Sequence, residues 1–482
     1  MTEQIYDLLV IGGGINGAGI ARDAAGRGLK VLLVEQNDLA SGTSSASTKL
    51  VHGGLRYLEY YEFRMVREAL KERETLLTIA PHVIRPLDFV LPHDGTRPGW
   101  MIRAGLFLYD HLARRRVLKG SKSLPLRTHF AGAPLADPPA LGFQYSDAWA
   151  DDARLVVLNV LDAKERGADI QTETKCIELK SDAKGWLATL QNDTQSVVRA
   201  RAVINASGPW VESVLKTAGT DSTAPRTRLV KGSHIIVKKA FEGAQAYILQ
   251  QPDKRVVFAI PYENDFTLVG TTEENFTGDP SQAAISEAEK TYLCEAFNRS
   301  FKNKISNADI LHSYSGVRPL FEDGSASATS ASRDYKLHHH KEFAAPMISV
   351  YGGKLTTYRA VAEEAVSKIM VLMGRDPKIA WTGGTPLPGG EFGDFDHFLA
   401  RQKAKYGWLP EALTHRYARA YGTRMDVFLK GKTSLESLGQ HHGAGLYQAE
   451  VDYLKTHEWA RGAEDILWRR TKLKLHGASL EQ

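Results

Sequence analysis

Three features of the sequence predict an α/β protein built in several parts. An apolar strand runs straight into a glycine pattern and a helix at the N-terminus. Residues 226–275 break into short strand-like runs with turn signals between them. After a glycine- and proline-rich stretch at 382–390, the remaining sequence reads as helix to about Lys474. Together they describe a Rossmann-type nucleotide-binding domain, a mixed-sheet domain and an α-helical C-terminal domain. At 482 residues the chain is long enough to bury two or three such cores.

The opening unit carries the most specific signal. Asp7 to Ile11 reads as a short buried strand, followed by Gly12-Gly13-Gly14-Ile15-Asn16-Gly17 and a helix-like stretch to about Gly28. In this G-x-G-x-x-G pattern Gly12 permits the tight turn, Gly14 lets a pyrophosphate approach the backbone, and Gly17 lets the helix pack closely on the strand. The helix N-terminus then faces the phosphates. A second strand, Val31 to Val34, ends in Glu35, where a carboxylate accepts hydrogen bonds from an adenosine ribose. Strand, pattern, helix, strand and acid in this order point to a dinucleotide and leave FAD and NAD both open.

Three later segments favour FAD. The polar run Ser41 to Lys49, with Ser44, Ser45 and Lys49, follows the ribose-binding acid and could line a diphosphate. Ala202 to Trp210 is an apolar strand stopping at Gly208, which could bring a second backbone edge to the cofactor. Ile348 to Tyr358 passes through Gly352-Gly353-Lys354-Leu355-Thr356 into a long amphipathic helix, whose N-terminus would stabilise negative charge. Taken singly, the first reads equally as a flexible loop and the second as an ordinary turn.

Composition narrows the partners. The net charge is +5, but the basic residues are scattered and no aromatic-interleaved stripe accompanies them, so nucleic acid is not expected. No export leader precedes the first strand, and no apolar run approaches the ~20 residues that cross a bilayer. A cytoplasmic protein is expected, its membrane contact limited to peripheral association with the inner face of the cell membrane. The two cysteines, Cys176 and Cys294, lie too far apart in sequence for a CxxC motif and read as buried thiols. His338-His339-His340 and His441-His442 diverge on any regular element and lack partner ligands, so no metal is expected.

The stretch from Val10 to Phe63, with IGGGINGAGIARDAAGRG and TKLVHGGLRYLEYYEF, resembles the FAD-dependent glycerol-3-phosphate dehydrogenases, part of the glycine-oxidase-like flavoprotein group. KGSHIIV (Lys231 to Val237), GTTEE (Gly270 to Glu274), YSGVRPL (Tyr314 to Leu320) and GGKLTTYR (Gly352 to Arg359) follow in the same order. The resemblance implies oxidation of glycerol 3-phosphate to dihydroxyacetone phosphate, with electrons leaving FAD for a membrane quinone. A soluble oxidase delivering electrons to oxygen is the alternative. It further implies a substrate pocket of Arg56, Tyr57, His234, Thr271, Arg318, Arg333 and Lys354. Four of these are cations suited to a phosphate dianion. His234 is the expected base, with Lys354 and Arg318 as the other catalytic candidates.

The cofactor pieces are dispersed, so a discontinuous FAD domain is expected from 1–85, 150–215 and 340–380. The substrate domain then takes 86–149 and 216–339, and the helical domain 385–482. The segment Trp100 to Leu112, followed by Arg114-Arg115-Arg116, reads either as a helix lying on a lipid surface or as a core helix with a basic end. A homodimer is compatible with the sequence.

Overall fold

The computed structural model describes residues 5–219, 227–321 and 334–480. Its first sheet has eight strands and is organised on Ile5–Ile11, which pairs in parallel with Val31–Val34 on one side and Gln195–Asn205 on the other. Asp169–Gln171 continues it beyond Val31–Val34, and Met347–Tyr351 beyond Gln195–Asn205, both in parallel. Lys336–His339 closes one edge antiparallel. The crossover between the first two strands is the helix Ile15–Gly26.

Both faces of this sheet are covered, which is why its strands read as unbroken apolar runs. Leu8, Val10, Val31 and Leu33 project to the side of Ile15–Gly26, where helices Asp152–Glu165 and Tyr358–Leu372 add Val156, Val160, Val361 and Ala365. Leu9, Ile11, Leu32 and Val34 project the other way, onto Trp186, Ala188 and Leu190 of the hairpin Lys175–Asp182 and Gly185–Gln191. Each fully buried aliphatic side chain contributes about 1.5–3 kcal/mol.

The second sheet has ten strands. Thr227–Lys238 lies between Ile310–Phe321 and Phe266–Gly270, antiparallel to both, and the sheet continues through Val256–Tyr262 and Ala246–Gln250. Ala246–Gln250 runs parallel to Ile84–Pro92, which pairs with Gly142–Ala150. Leu50–Val51, from the stretch expected to belong to the cofactor domain, also pairs into this sheet through Gly142–Ala150. Alternation along Thr227–Lys238 divides its residues between two environments. Ile235 and Val237 pack with Leu293 and Phe297 of helix Glu287–Ser300, while Ile236 joins Leu268, Phe89 and Tyr145 on the opposite face.

The C-terminal region packs helices Phe395–Lys405, Glu411–Tyr421, Met425–Leu429 and Gln448–His457 around Phe398, Tyr417, Tyr421, Met425 and Leu454, followed by a wide turn at Asp465–Arg470 and a short one at Leu473–His476. Cys176 and Cys294 are buried and unpaired.

Candidate active site

The glycine turn shows what its sequence requires. Gly12 has φ 114°, and a Cβ there would lie 2.6 Å from the Ala206 carbonyl oxygen, so this strand end abuts the end of Gln195–Asn205. A Cβ on Gly17 would lie 1.9 Å from the Gly12 carbonyl oxygen, which leaves room for hydrogen alone where the helix crosses the turn. Glu35 accepts from Gly13 N–H at 2.6 Å and Asn37 N–H at 2.9 Å. Burial raises its pKa, opposed by those two bonds. Gly14 is the residue before the helix, and Ser44 Oγ accepts from Ile15 N–H at 2.9 Å, so the polar run lies against the helix N-terminus.

Two other segments converge on the same turn. Asn16 Nδ2 donates to the Gly352 carbonyl at 3.3 Å, and a Cβ on Gly353 would meet Asn16. Asn16 Oδ1 is buried without a partner, an acceptor awaiting a ligand donor between the two glycine turns. Thr356 Oγ1 accepts from His52 N–H at 3.1 Å, and Leu355 packs on the adjacent apolar cluster. Gly208 lies in the turn after Asn205 with open space over its Cα. Ser45 offers its carbonyl to Lys49 Nζ at 2.6 Å. The Lys49 ammonium is buried on Asp152 at 2.8 Å, so its side chain holds the polar loop from beneath.

The second sheet roofs this loop. Thr43 Oγ1 donates to the Val317 carbonyl at 2.6 Å, and Tyr314 OH donates to the Ser47 carbonyl at 2.9 Å. His234 Nε2 lies 2.9 Å from Thr48 Oγ1, and its ring stacks on Tyr314 with centroids 4.9 Å apart. A Cβ on Gly270, directly opposite, would fall 2.1 Å from the His234 ring. Burial lowers the His234 pKa well below the usual histidine range, reinforced by the Arg318 and Lys49 charges, so the ring is neutral and its Nδ1 is unpartnered. Gly232 is flanked by Thr271 and Arg318; its missing Cβ would lie 2.7 Å from Thr271 Oγ1 and 2.8 Å from an Arg318 nitrogen.

A second group forms beside helix Phe63–Ile79. Lys354 Nζ lies 4.1 Å from the Tyr57 ring centroid and 3.1 Å from Met65 Sδ. Arg56 is half-buried on the same short helix as Tyr57 and makes no ion pair among the described residues. Behind it Gly53 N–H is held by Tyr109 OH at 2.8 Å, itself bonded to Asp147. The structure thus brings His234, Thr271 and Arg318 together and, separately, Tyr57 and Lys354. Arg333 lies outside the described residues. The histidine clusters have local partners: His340 bonds Ser349 and Glu342, His441 accepts from Gly445 N–H, and His442 bonds Gln448.

Several contributors escape a motif reading. Thr48 sits inside the polar run with nothing to distinguish it from its neighbours. Asp152 is marked only by the pair Asp151-Asp152 at a helix start. Glu289 is legible as one end of the capping box Ser286 to Glu289. Its buried carboxylate also collects Ser233 Oγ at 2.8 Å and Thr272 Oγ1 at 2.6 Å, the residues beside His234 and Thr271, and Lys231 Nζ at 2.8 Å.

Comparison with known proteins places the chain in a family. The family described as FAD dependent oxidoreductase matches residues 7–359, and the C-terminal domain of alpha-glycerophosphate oxidase matches residues 380–480. The chain is 52% identical to a glycerol-3-phosphate dehydrogenase of Pseudomonas aeruginosa, over 98% of this chain and 92% of that one. It is 50% identical to a D-erythritol 1-phosphate dehydrogenase of Brucella abortus, over 99% and 96%. Among solved structures, a glycerol-3-phosphate dehydrogenase from Bacillus halodurans complexed with FAD superposes with TM-score 0.79 at 29% identity, covering 98% of this chain and 87% of that one.

Proposed function

The chain belongs to the FAD-dependent oxidoreductases, and from that premise we propose that it oxidises sn-glycerol 3-phosphate to dihydroxyacetone phosphate and passes the electrons to a membrane quinone. The observation that carries the chemistry is the roof group: a neutral, buried His234 held by Thr48 and Tyr314, with Arg318 beside it. FAD, when bound at the glycine turn, supplies the hydride acceptor.

The chain's own residues do the rest. A neutral imidazole with an unpartnered nitrogen can take the hydroxyl proton as the carbon gives up its hydride. Arg318, with Arg56 and Lys354 from the other elements and Arg333 from outside the described residues, supplies the charge to hold a phosphate dianion, each charge-assisted bond contributing about 1.5–3 kcal/mol. Thr271 would orient the remaining hydroxyl. Tyr314 stacks on the imidazole from one neighbouring strand and Gly270 packs against it from the other, so the ring is covered from both sides.

The quinone assignment is supported by the helix Gly99–His111. It buries Leu106 and Tyr109 and leaves Trp100, Met101, Phe107 and Leu108 exposed, with Arg114, Arg115 and Arg116 following, the composition of an element resting on an anionic lipid surface at the inner face of the membrane. No helix among the described residues is long and apolar enough to cross a membrane.

The 50% identity to a D-erythritol 1-phosphate dehydrogenase favours a second reading, in which the phosphate clamp is shared and the pocket takes a four-carbon polyol phosphate. Steady-state assay with each substrate, using a soluble quinone analogue or oxygen as acceptor, decides both points. The proposal expects the higher kcat/KM with sn-glycerol 3-phosphate and turnover coupled to quinone. A higher value with D-erythritol 1-phosphate overturns the substrate, and stoichiometric peroxide overturns the acceptor.

A further inference from the structure

The basic run Arg469-Arg470-Thr471-Lys472 takes no part in the substrate chemistry above, yet it reaches both loops that shape the cofactor site. Arg470, 1% exposed, forks onto Asp38 with bonds of 2.7 and 2.8 Å, and Arg469 Nε adds a third at 2.6 Å. Asp38 lies three residues after Glu35, in the loop whose Ala40 N–H donates to the Gly13 carbonyl at 3.1 Å. Lys472 pairs with Asp151, the residue that caps helix Asp152–Glu165. The next residue, Asp152, holds Lys49 Nζ at 2.8 Å and Ser47 Oγ at 2.7 Å. Arg154, in the same first turn, forks onto Glu458 of the C-terminal domain, one bond measuring 2.9 Å. Trp468 stacks on His312 with centroids 3.8 Å apart, two residues before Tyr314 on the strand that carries Arg318.

We propose that the segment 465–472 is a positioning element for the FAD site, setting the adenosine-side loop through Asp38 and the diphosphate-side loop through Asp151 and Asp152. Between Val34 and Thr43 the chain has no helix or strand to hold its shape. A rigid guanidinium fork on both Asp38 oxygens fixes that loop in direction as well as place, and a low-dielectric setting strengthens each bond. Attachment of the C-terminal domain alone would not require it to grip these two loops, since that domain has its own apolar core and its own ion pair, half-buried Arg416 with buried Glu450 at 2.6 Å. The inference rests on the cofactor assignment and is independent of the substrate.

The test uses the full-length holoprotein and four variants: Arg469→Gln, Arg470→Gln, Asp38→Asn, and Arg416→Gln as a control that breaks an ion pair within the C-terminal domain. The FAD dissociation constant is read from flavin fluorescence on dilution, well below each melting temperature, and flavin geometry from visible circular dichroism. The expected result is a rise in FAD Kd of about 10- to 100-fold for Arg470→Gln and Asp38→Asn, and about threefold to tenfold for Arg469→Gln, with an altered flavin band. Arg416→Gln lowers the melting temperature but leaves FAD affinity and the band unchanged. Should Arg470→Gln fail to fold, Arg469→Gln, at the more exposed position, carries the test. Wild-type FAD affinity in Arg469→Gln and Asp38→Asn would overturn the proposal, as would FAD release from Arg416→Gln equal to theirs.

Discussion

The glycine turn and the roof over it are built by opposite strategies. The turn is local: Gly12, Gly14, Gly17 and Glu35 fall within twenty-four residues, and its fit depends on atoms that are absent, as the 1.9 Å approach at Gly17 shows. The roof is assembled by register. His234, Gly270 and Tyr314 become neighbours only because Thr227–Lys238 pairs with Phe266–Gly270 and Ile310–Phe321 in one alignment. A one-residue slip in either pairing would send its side chains to the other face. A site made locally fails by losing its ligand; a site made by register fails by losing its chemistry while the ligand stays.

That contrast can be broken by substitution. The largest effect is expected at Gly17→Ala, where the new Cβ has no room against the Gly12 carbonyl. FAD affinity should fall about 100-fold or more and the purified protein should be colourless; a yellow protein with wild-type affinity would contradict the local account. Next comes Arg318→Ala, which should keep the flavin spectrum and lower kcat/KM by about 10- to 100-fold through loss of a charge-assisted bond. Loss of FAD with the activity would erase the distinction between the two regions.

A smaller effect sharpens the register argument. Glu289 touches neither the cofactor turn nor His234, but it binds Ser233 and Thr272, which flank His234 and Thr271. Glu289→Gln should lower kcat by about threefold to tenfold, with FAD affinity unchanged. Unaltered kcat in a folded variant would show that this network holds the helix and not the site.

The smallest effect is a pH dependence confined to the roof. Burial depresses the His234 pKa, so between its folded value and the ordinary value near 6.5 the unfolded chain binds a proton that the folded chain refuses. Stability is therefore full above about pH 6.5 and declines as pH falls below it, by about 1.4 kcal/mol per unit for one such group. His82 adds a contribution of the same sign, its pKa lowered to about 3 by burial and by Arg154 and Arg419. His234→Gln should flatten the fall in melting temperature between pH 6.5 and 5.5 by about 2 °C. An unchanged slope would mean that the imidazole does not titrate on unfolding as described.

The same contrast explains what could be read before the structure. The first strand, the glycine turn and Glu35 were legible because sequence neighbours there are spatial neighbours. The four strand-like runs between residues 226 and 275 were also legible, from alternation and turn residues, and occur as Thr227–Lys238, Ala246–Gln250, Val256–Tyr262 and Phe266–Gly270. The pairing of Ala246–Gln250 with Ile84–Pro92, that of Ile84–Pro92 with Gly142–Ala150, and the recruitment of Leu50–Val51 were not, because no local pattern specifies a partner strand far away in the chain. Lys49 shows the limit at a single residue. Its place in a polar run suggests a ligand contact, and only the fold reveals Asp152 beneath it. The grip of Arg470 on Asp38 spans more than four hundred positions and has no signal beyond a basic run in a helical tail.

The central claim, that a sugar-alcohol phosphate reduces a flavin held between these two regions, is tested most directly without any electron acceptor. The purified yellow protein is mixed anaerobically with sn-glycerol 3-phosphate and its visible band is followed. Bleaching by sn-glycerol 3-phosphate is expected, slowed about 10- to 100-fold at subsaturating substrate in the Arg318→Ala variant. A flavin that stays oxidised in saturating sn-glycerol 3-phosphate would contradict the substrate assignment outright, and bleaching by D-erythritol 1-phosphate in its place would transfer that assignment to the four-carbon phosphate.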